Sequence, residues 1–173
     1  DVKMMIKGFK IALEKIPEAK LWLIGPTDED EDYYDECIKL VDDLGLTEKV
    51  IFTGRANVME YYSFLDLLLL TSISEGQPLS VLEAMAAGKA CVTTDVGCCR
   101  ELLEGREDDN LGPAGYCVPP TDLSGLADAM LRMASVEEER LVMGKTAKKR
   151  AELYYQYDQM IDQYRQMYKE YVK

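Results

Sequence analysis

Short runs rich in leucine and β-branched residues alternate along the chain with longer amphipathic stretches, and few folds accommodate that order. Successive strand–helix units build a parallel sheet flanked by helices, so the chain reads as α/β. Its 173 residues suit one domain spanning 1–173. A helix over about Val2 to Lys15 puts Met5, Phe9, Ala12 and Leu13 at helical spacing and stops near Pro17. Leu21 to Ile24 reads as a buried strand ending in Gly25-Pro26. The acidic run Asp28 to Asp32 then leads into a helix through about Leu44, which Gly45 ends. Val50 to Thr53, closing on Gly54-Arg55, and Leu67 to Thr71 are further strands, with a short helix capped by Asn57 between them. A helix from Pro78 to about Ala87, a strand Ala90 to Thr94 and a turn at Val96-Gly97 follow. Glu104 to Gly112 is a polar surface loop, Gly115 to Val118 a last short strand, and from Leu123 the chain is helical almost to its end. In open parallel sheets ligands bind beyond the carboxyl ends of the strands, so the loops after Ile24, Phe52 and Leu70 face one crevice.

Composition narrows what that crevice can hold. With 20 basic and 32 acidic residues the net charge is −12, which disfavours nucleic acid or an anionic membrane surface as a partner. An anionic ligand therefore needs local donors. The chain has no histidine, so it supplies no imidazole base or metal ligand. Its five cysteines are odd in number and lack Cys-x-x-Cys spacing, which fits neither a zinc cluster nor a disulfide framework and predicts a reducing, cytoplasmic setting. The adjacent Cys98-Cys99 has a redox reading, against the plainer one of two small buried side chains. The acids of 28–32 suit a helix N-terminus better than a metal. No apolar run approaches the roughly 20 residues of a membrane-spanning helix, so no transmembrane segment is expected. The start Asp1-Val2-Lys3 has no initiator Met and no signal-peptide layout, and reads as the edge of a piece of a longer protein. Near the other end, Tyr154, Tyr155, Tyr157, Tyr164, Tyr168 and Tyr171 at helical spacing predict a packing face, one that can also serve a lobe not included in this chain.

The segment from Thr71 to Gly88 carries the chemistry. A strand enters the crevice, a tight turn Glu75-Gly76-Gln77 follows, and Pro78 fits the first helical position, where its missing N–H is no loss. The N–H groups of Gly76, Gln77, Leu79 and Ser80 then lack helical acceptors, and with the helix dipole they can hold a phosphate. Gly76 allows close approach of the backbone. Glu75 precedes the helix and Glu83 lies about five residues into it, about 7.5 Å along the axis from Pro78 at 1.5 Å per residue. Two carboxylates so placed can each accept hydroxyl hydrogen bonds from one ligand, with the amides between them on its phosphates. The plain alternative makes Glu75 a dipole partner and Glu83 a solvated acid. Against it, Leu82, Ala84, Met85, Ala86 and Ala87 surround Glu83 in sequence, so an acid there should have a partner.

Ser74 to Gly88, followed by Val92-Thr93-Thr94-Asp95-Val96-Gly97, resembles the Glu-x7-Glu donor motif of the family 4 retaining glycosyltransferases with the GT-B fold. Phe52-Thr53-Gly54-Arg55, Tyr61-Tyr62 through Asp66, and Gly115 to Pro120 with Asp122 resemble that family's flanking signatures, so the likeness covers most of the chain. The Glu-Gly-Gln-Pro form with Gly97-Cys98-Cys99-Arg100-Glu101 is similar to the subgroup that includes the Pel exopolysaccharide glycosyltransferase. The resemblance implies a Rossmann-like C-terminal lobe that binds a nucleotide-sugar donor, with no metal and no other cofactor. It implies hexose transfer with retention from an NDP-sugar, UDP-linked, to a glycan or lipid-linked acceptor. It also implies a cytoplasmic enzyme, peripheral to the inner membrane, that makes exopolysaccharide or cell-surface polysaccharide. By that resemblance Glu75 is catalytic and holds the transferred sugar, Gly76, Gln77, Pro78 and Leu79 the sugar and diphosphate, and Glu83 the ribose. Arg55 and Val58 shape a nucleoside pocket that Gly25 and Pro26 close from the other side. The family's lobe begins with a strand bearing a phosphate-binding Arg and Lys that this sequence does not include, nor does it include the N-terminal acceptor lobe. The chain alone is therefore expected to bind nucleotide weakly and to transfer no sugar.

Two competing functions are less favoured. A sugar-nucleotide epimerase of the same fold normally uses histidines, which are absent here. A non-catalytic Rossmann-like binding or partner domain would show nucleotide affinity without donor hydrolysis. No Gly-x-Gly-x-x-Gly follows a strand, which argues against NAD.

Overall fold

The computed structural model describes residues 1–171. Thirteen elements follow in order: α1 (Val2–Leu13), β1 (Leu21–Ile24), α2 (Glu31–Asp43), β2 (Val50–Gly54), α3 (Val58–Tyr61), β3 (Leu67–Leu70), α4 (Leu79–Ala86), β4 (Ala90–Thr94), α5 (Cys99–Glu104), β5 (Gly115–Val118), α6 (Leu123–Ser135), α7 (Glu137–Tyr154) and α8 (Tyr157–Tyr171). Local chemistry sets most of the boundaries. Asp1, Asp30, Asn57 and Asp122 each cap a helix through a side-chain oxygen that accepts a backbone N–H two or three residues on. Gly45 and Gly88 follow α2 and α4 with φ of 66° and 75°, the left-handed conformation a helix end favours in glycine. Pro78 departs from expectation. Its ψ of 116° makes it the N-cap of α4 rather than the first helical residue, because the chain is still extended where it leaves the turn.

All strand pairs are parallel, as the alternating pattern requires. They form two sheets instead of one, β1-β2 and β3-β4-β5. β1 and β3 each pair along one edge only, and a cavity of about 1070 Å³ is lined by both, from Leu21 to Ile24 on one side and Leu67 to Leu70 on the other. For that reason β1 is not the buried strand its composition predicts: Leu21 is buried, whereas Trp22, Leu23 and Ile24 are half-buried.

Two apolar clusters flank the strands. Ile6, Phe9, Leu46, Leu126 and Met133 belong to the first, and Val81, Met85, Leu102, Leu103 and Ala147 to the second. β3 serves both, with Leu67 and Leu69 packing on the first and Leu68 and Leu70 on the second, the period-two alternation of a strand. Fully burying a side chain such as Ile6 contributes about 1.5–3 kcal/mol, so α1 is held by its packed face more than by its own hydrogen bonds.

The segment 104–112 is not wholly a surface loop. The Asp109 carboxylate is fully buried and bonds the Arg150 guanidinium of α7 at 2.5 Å. Arg150 also donates to the carbonyls of Leu102, Leu103 and Gly112 at 3.1, 3.0 and 2.5 Å, closing off carbonyls at the end of α5. At the other extreme, α8 buries none of its residues. The tyrosine face expected to pack divides: Tyr154 and Tyr155 are half-buried, with Tyr155 packed on the second cluster, whereas Tyr157 at 71% and Tyr168 at 62% stand exposed on α8.

Candidate functional site

The carboxyl ends of β3 and β4 build one connected loop system. Past β3, the Ser72 hydroxyl donates to the Glu75 carboxylate at 2.7 Å, which fixes one oxygen of a half-buried side chain. Past β4, the buried Thr94 hydroxyl donates to the Ser72 carbonyl at 2.6 Å. The Cys98 N–H donates to the Gly76 carbonyl at 3.0 Å. The turn that holds Glu75 is thus tied at both ends to the neighbouring strand's loop.

Beyond that turn, α4 aims its first N–H groups outward. Among the described residues, no protein acceptor is bonded to the N–H groups of Gly76, Gln77, Leu79 or Ser80. Gly76 and Gln77 are exposed, Leu79 is 69% exposed, and Pro78 is buried beneath them. Free amides at the positive end of a helix dipole attract anions.

Glu83 is the fifth residue of α4. The apolar side of this helix, Val81, Ala84 and Met85, is buried, and Glu83 lies off that face, exposed to solvent. The partner that its apolar sequence neighbours predict for Glu83 is not another of the described residues. The helix turns those neighbours away from it, and the described residues offer it no ion pair or hydrogen bond. It lines the cavity mouth with Ser80, Val58, Gly25 and Pro26. Tyr62 lies beneath, its phenol pushed up to about 12 by burial and then by the Glu83 carboxylate.

Arg55 stands outside that cavity lining. Its guanidinium bonds Asp28 at 3.3 Å and Glu29 at 3.2 Å, joining the loop after β2 to the loop after β1. The acidic run is thereby divided: Asp28 and Glu29 take Arg55, Asp30 caps α2, and Glu31 and Asp32 occupy its first turn. Burial pushes both the Cys98 and Cys99 thiols up, which keeps them protonated and favours the plain reading of that pair. Sequence reasoning missed Ser72 and Thr94 as members of the site. Hydroxyl residues at the carboxyl ends of two neighbouring parallel strands were the available signal.

Parallel strands alternating with flanking helices make this an α/β domain that matches the C-terminal domain of the GT-B glycosyltransferases. The same fold appears in sucrose-phosphate synthase from Thermosynechococcus elongatus, with a TM-score of 0.83 at 25% identity over 99% of this chain and 43% of that one. It appears also in the C-terminal domain of a glycosyl transferase group 1 family protein (LpcC) from Francisella tularensis, with a TM-score of 0.77 at 27% identity over 90% of this chain and 80% of that one. The chain belongs to the glycosyl transferases group 1 family, whose profile matches residues 1–150. A curated relative, the N-acetyl-alpha-D-glucosaminyl L-malate synthase of Bacillus anthracis, is 31% identical over 168 residues, 96% of this chain. The chain spans 41% of that relative's length. No helix among the described residues is long and apolar enough to cross a membrane.

Proposed function

We propose that this chain is the donor-binding lobe of a metal-independent, retaining glycosyltransferase. It holds an NDP-hexose, UDP-linked, for transfer to a glycan or lipid-linked acceptor in exopolysaccharide or cell-surface polysaccharide synthesis at the cytoplasmic side of the inner membrane. The observation that carries the reading is the run of unbonded amides from Gly76 to Ser80, set between a braced Glu75 and a solvent-facing Glu83. In this assignment Glu75 accepts hydrogen bonds from hydroxyls of the transferred sugar, Gly76, Gln77 and Leu79 donate to sugar and diphosphate, and Pro78 sets the turn. Glu83 accepts from the ribose hydroxyls. Gly25, Pro26 and Val58 wall the nucleoside, and Arg55 stiffens the rim from outside through Asp28 and Glu29.

Negative charge develops on the departing diphosphate as the glycosidic bond breaks, and amides fixed before the reaction stabilise it without reorganising. The leaving phosphate assists deprotonation of an acceptor hydroxyl on the same face, so retention needs no covalent adduct on Glu75, in contrast with the paired-carboxylate hydrolases. Two similar proteins support the reading. The name of the Bacillus anthracis relative describes an α-glycoside product, as retention from an α-linked donor would give. The Anabaena protein HepE, which shares the fold at a TM-score of 0.75 and 20% identity, was solved with UDP and glucose. The acceptor side belongs to a second lobe, which fits a chain that spans 41% of that relative. The slot between β1 and β3 would take one more strand of the whole protein.

Incubation of the chain with radiolabelled UDP-glucose and a lipid-linked acceptor tests the two-lobe reading. Donor bound without label transferred is the expected result, and transfer by this chain alone would overturn it.

A further inference from the structure

The backbone after β4 is pressed against the donor turn to a degree that leaves no room for a side chain. Gly97 has φ of 54°, and a Cβ built on it would stand 2.5 Å from the Glu75 carbonyl oxygen and closer still to that of Gly76. Both of those atoms are backbone, so nothing flexible can give way. One residue on, the Cys98 N–H donates to that same Gly76 carbonyl. Three residues before Gly97, the buried Thr94 hydroxyl holds the Ser72 carbonyl, and the Ser72 hydroxyl in turn holds Glu75. A buried threonine thus holds the start of the turn at Ser72, while a left-handed glycine and the backbone amide after it meet the turn at Glu75 and Gly76.

From this we infer that Gly97 and Thr94 are positioning residues for the donor. They touch no part of a ligand themselves. Thr94 sets the Ser72 backbone, which sets the rotamer of Glu75. Gly97 lets the Cys98 N–H reach the Gly76 carbonyl, which holds that peptide and so fixes the direction of the neighbouring Gln77 N–H. The consequence is a loop whose carboxylate and amides are arranged before any donor arrives, the condition for strong anion and hydroxyl binding without an ordering cost. The inference rests on the donor-site reading above, and the test is built so that each can fail separately.

Four proteins are compared: the wild-type chain, Gly97→Ala, Thr94→Val, and Thr94→Ser, which keeps the hydroxyl. Amide hydrogen exchange of the ligand-free proteins is followed at Cys98, whose N–H bonds the Gly76 carbonyl, and, as a reference, in α1 and α6. Loss of the seat predicts exchange about tenfold faster at Cys98 for Gly97→Ala and Thr94→Val, with the reference helices unchanged. Titration with UDP-glucose should then show affinity lowered about tenfold in those two variants, the scale of one hydrogen bond to a charged group, and restored in Thr94→Ser. A merely structural role would instead speed exchange in the reference helices and lower the melting temperature together with the affinity. Wild-type binding that Gly97→Ala and Thr94→Val leave intact overturns the positioning role alone. Failure of the wild type to bind any nucleotide sugar overturns the donor reading, while the exchange data still report whether the turn is seated.

Discussion

Arg150 is the side chain whose role the sequence hides most completely. It stands in a basic run with Lys148 and Lys149, which a pattern reading assigns to a solvated helix face. In the fold it is fully buried and bonds Asp109 and three carbonyls. Leaving either partner alone and charged in the interior costs about 3–5 kcal/mol. Arg150→Met and Asp109→Asn should therefore each lower the urea-unfolding free energy by several kcal/mol, and a loss below about 1 kcal/mol would contradict the pairing. Burial on its own would raise the Asp109 carboxyl, but the Arg150 guanidinium and the Leu111 N–H outweigh it and hold the group below its usual value. A depressed folded value means that this stabilisation is complete above the ordinary carboxylate range, near pH 4, and is lost as pH falls through the lower folded value. Stability of the wild type should therefore fall on acidification below about pH 4, and Asp109→Asn should show a shallower fall over that range.

Elements were legible where local chemistry determines them. All five strands sit where the apolar runs and their closing Gly, Thr or Pro residues put them, and Asp30, Asn57 and Asp122 cap helices as their type predicts. The motif Glu75 to Glu83 was legible for a similar reason: a strand, a glycine turn and a helix start lie within a dozen residues. What could not be read is set by partners distant in sequence. The pairing of Arg150 with Asp109, the clasp of Thr94 on Ser72, and the split of the strands into two sheets all join segments that no window of sequence contains. The last helix shows the same limit. Its tyrosines and methionines have helical spacing, yet periodicity reports an apolar face without reporting whether anything covers it. Because α8 buries none of its residues, truncation after Gln156 should shift the melting temperature by no more than about 2–4 °C, the equivalent of about 1 kcal/mol. A larger drop would mean that α8 supports the core.

At the scale of the molecule, the two sheets present their strand ends to one crevice but share no backbone hydrogen bonds. The Leu21 N–H donates to Lys49 across the β1-β2 ladder, so strand alternation directs the Trp22 and Ile24 N–H groups toward the slot. Those two amides should exchange faster than that of Leu21 or of Cys91, which bonds Ala114 between β4 and β5; equal protection would mean that the slot is closed in solution. In the proposed donor site, the crevice at the β3 and β4 ends would hold a uridine diphosphate sugar through the turn amides and two carboxylates. Calorimetric titration with UDP, UDP-glucose, GDP and NAD, on wild type and Glu83→Ala, tests it most directly. Binding of UDP and UDP-glucose in preference to GDP and NAD is expected, weakened about tenfold or more when the Glu83 carboxylate is removed. UDP binding that is indifferent to Glu83, or a preference for NAD, would contradict it.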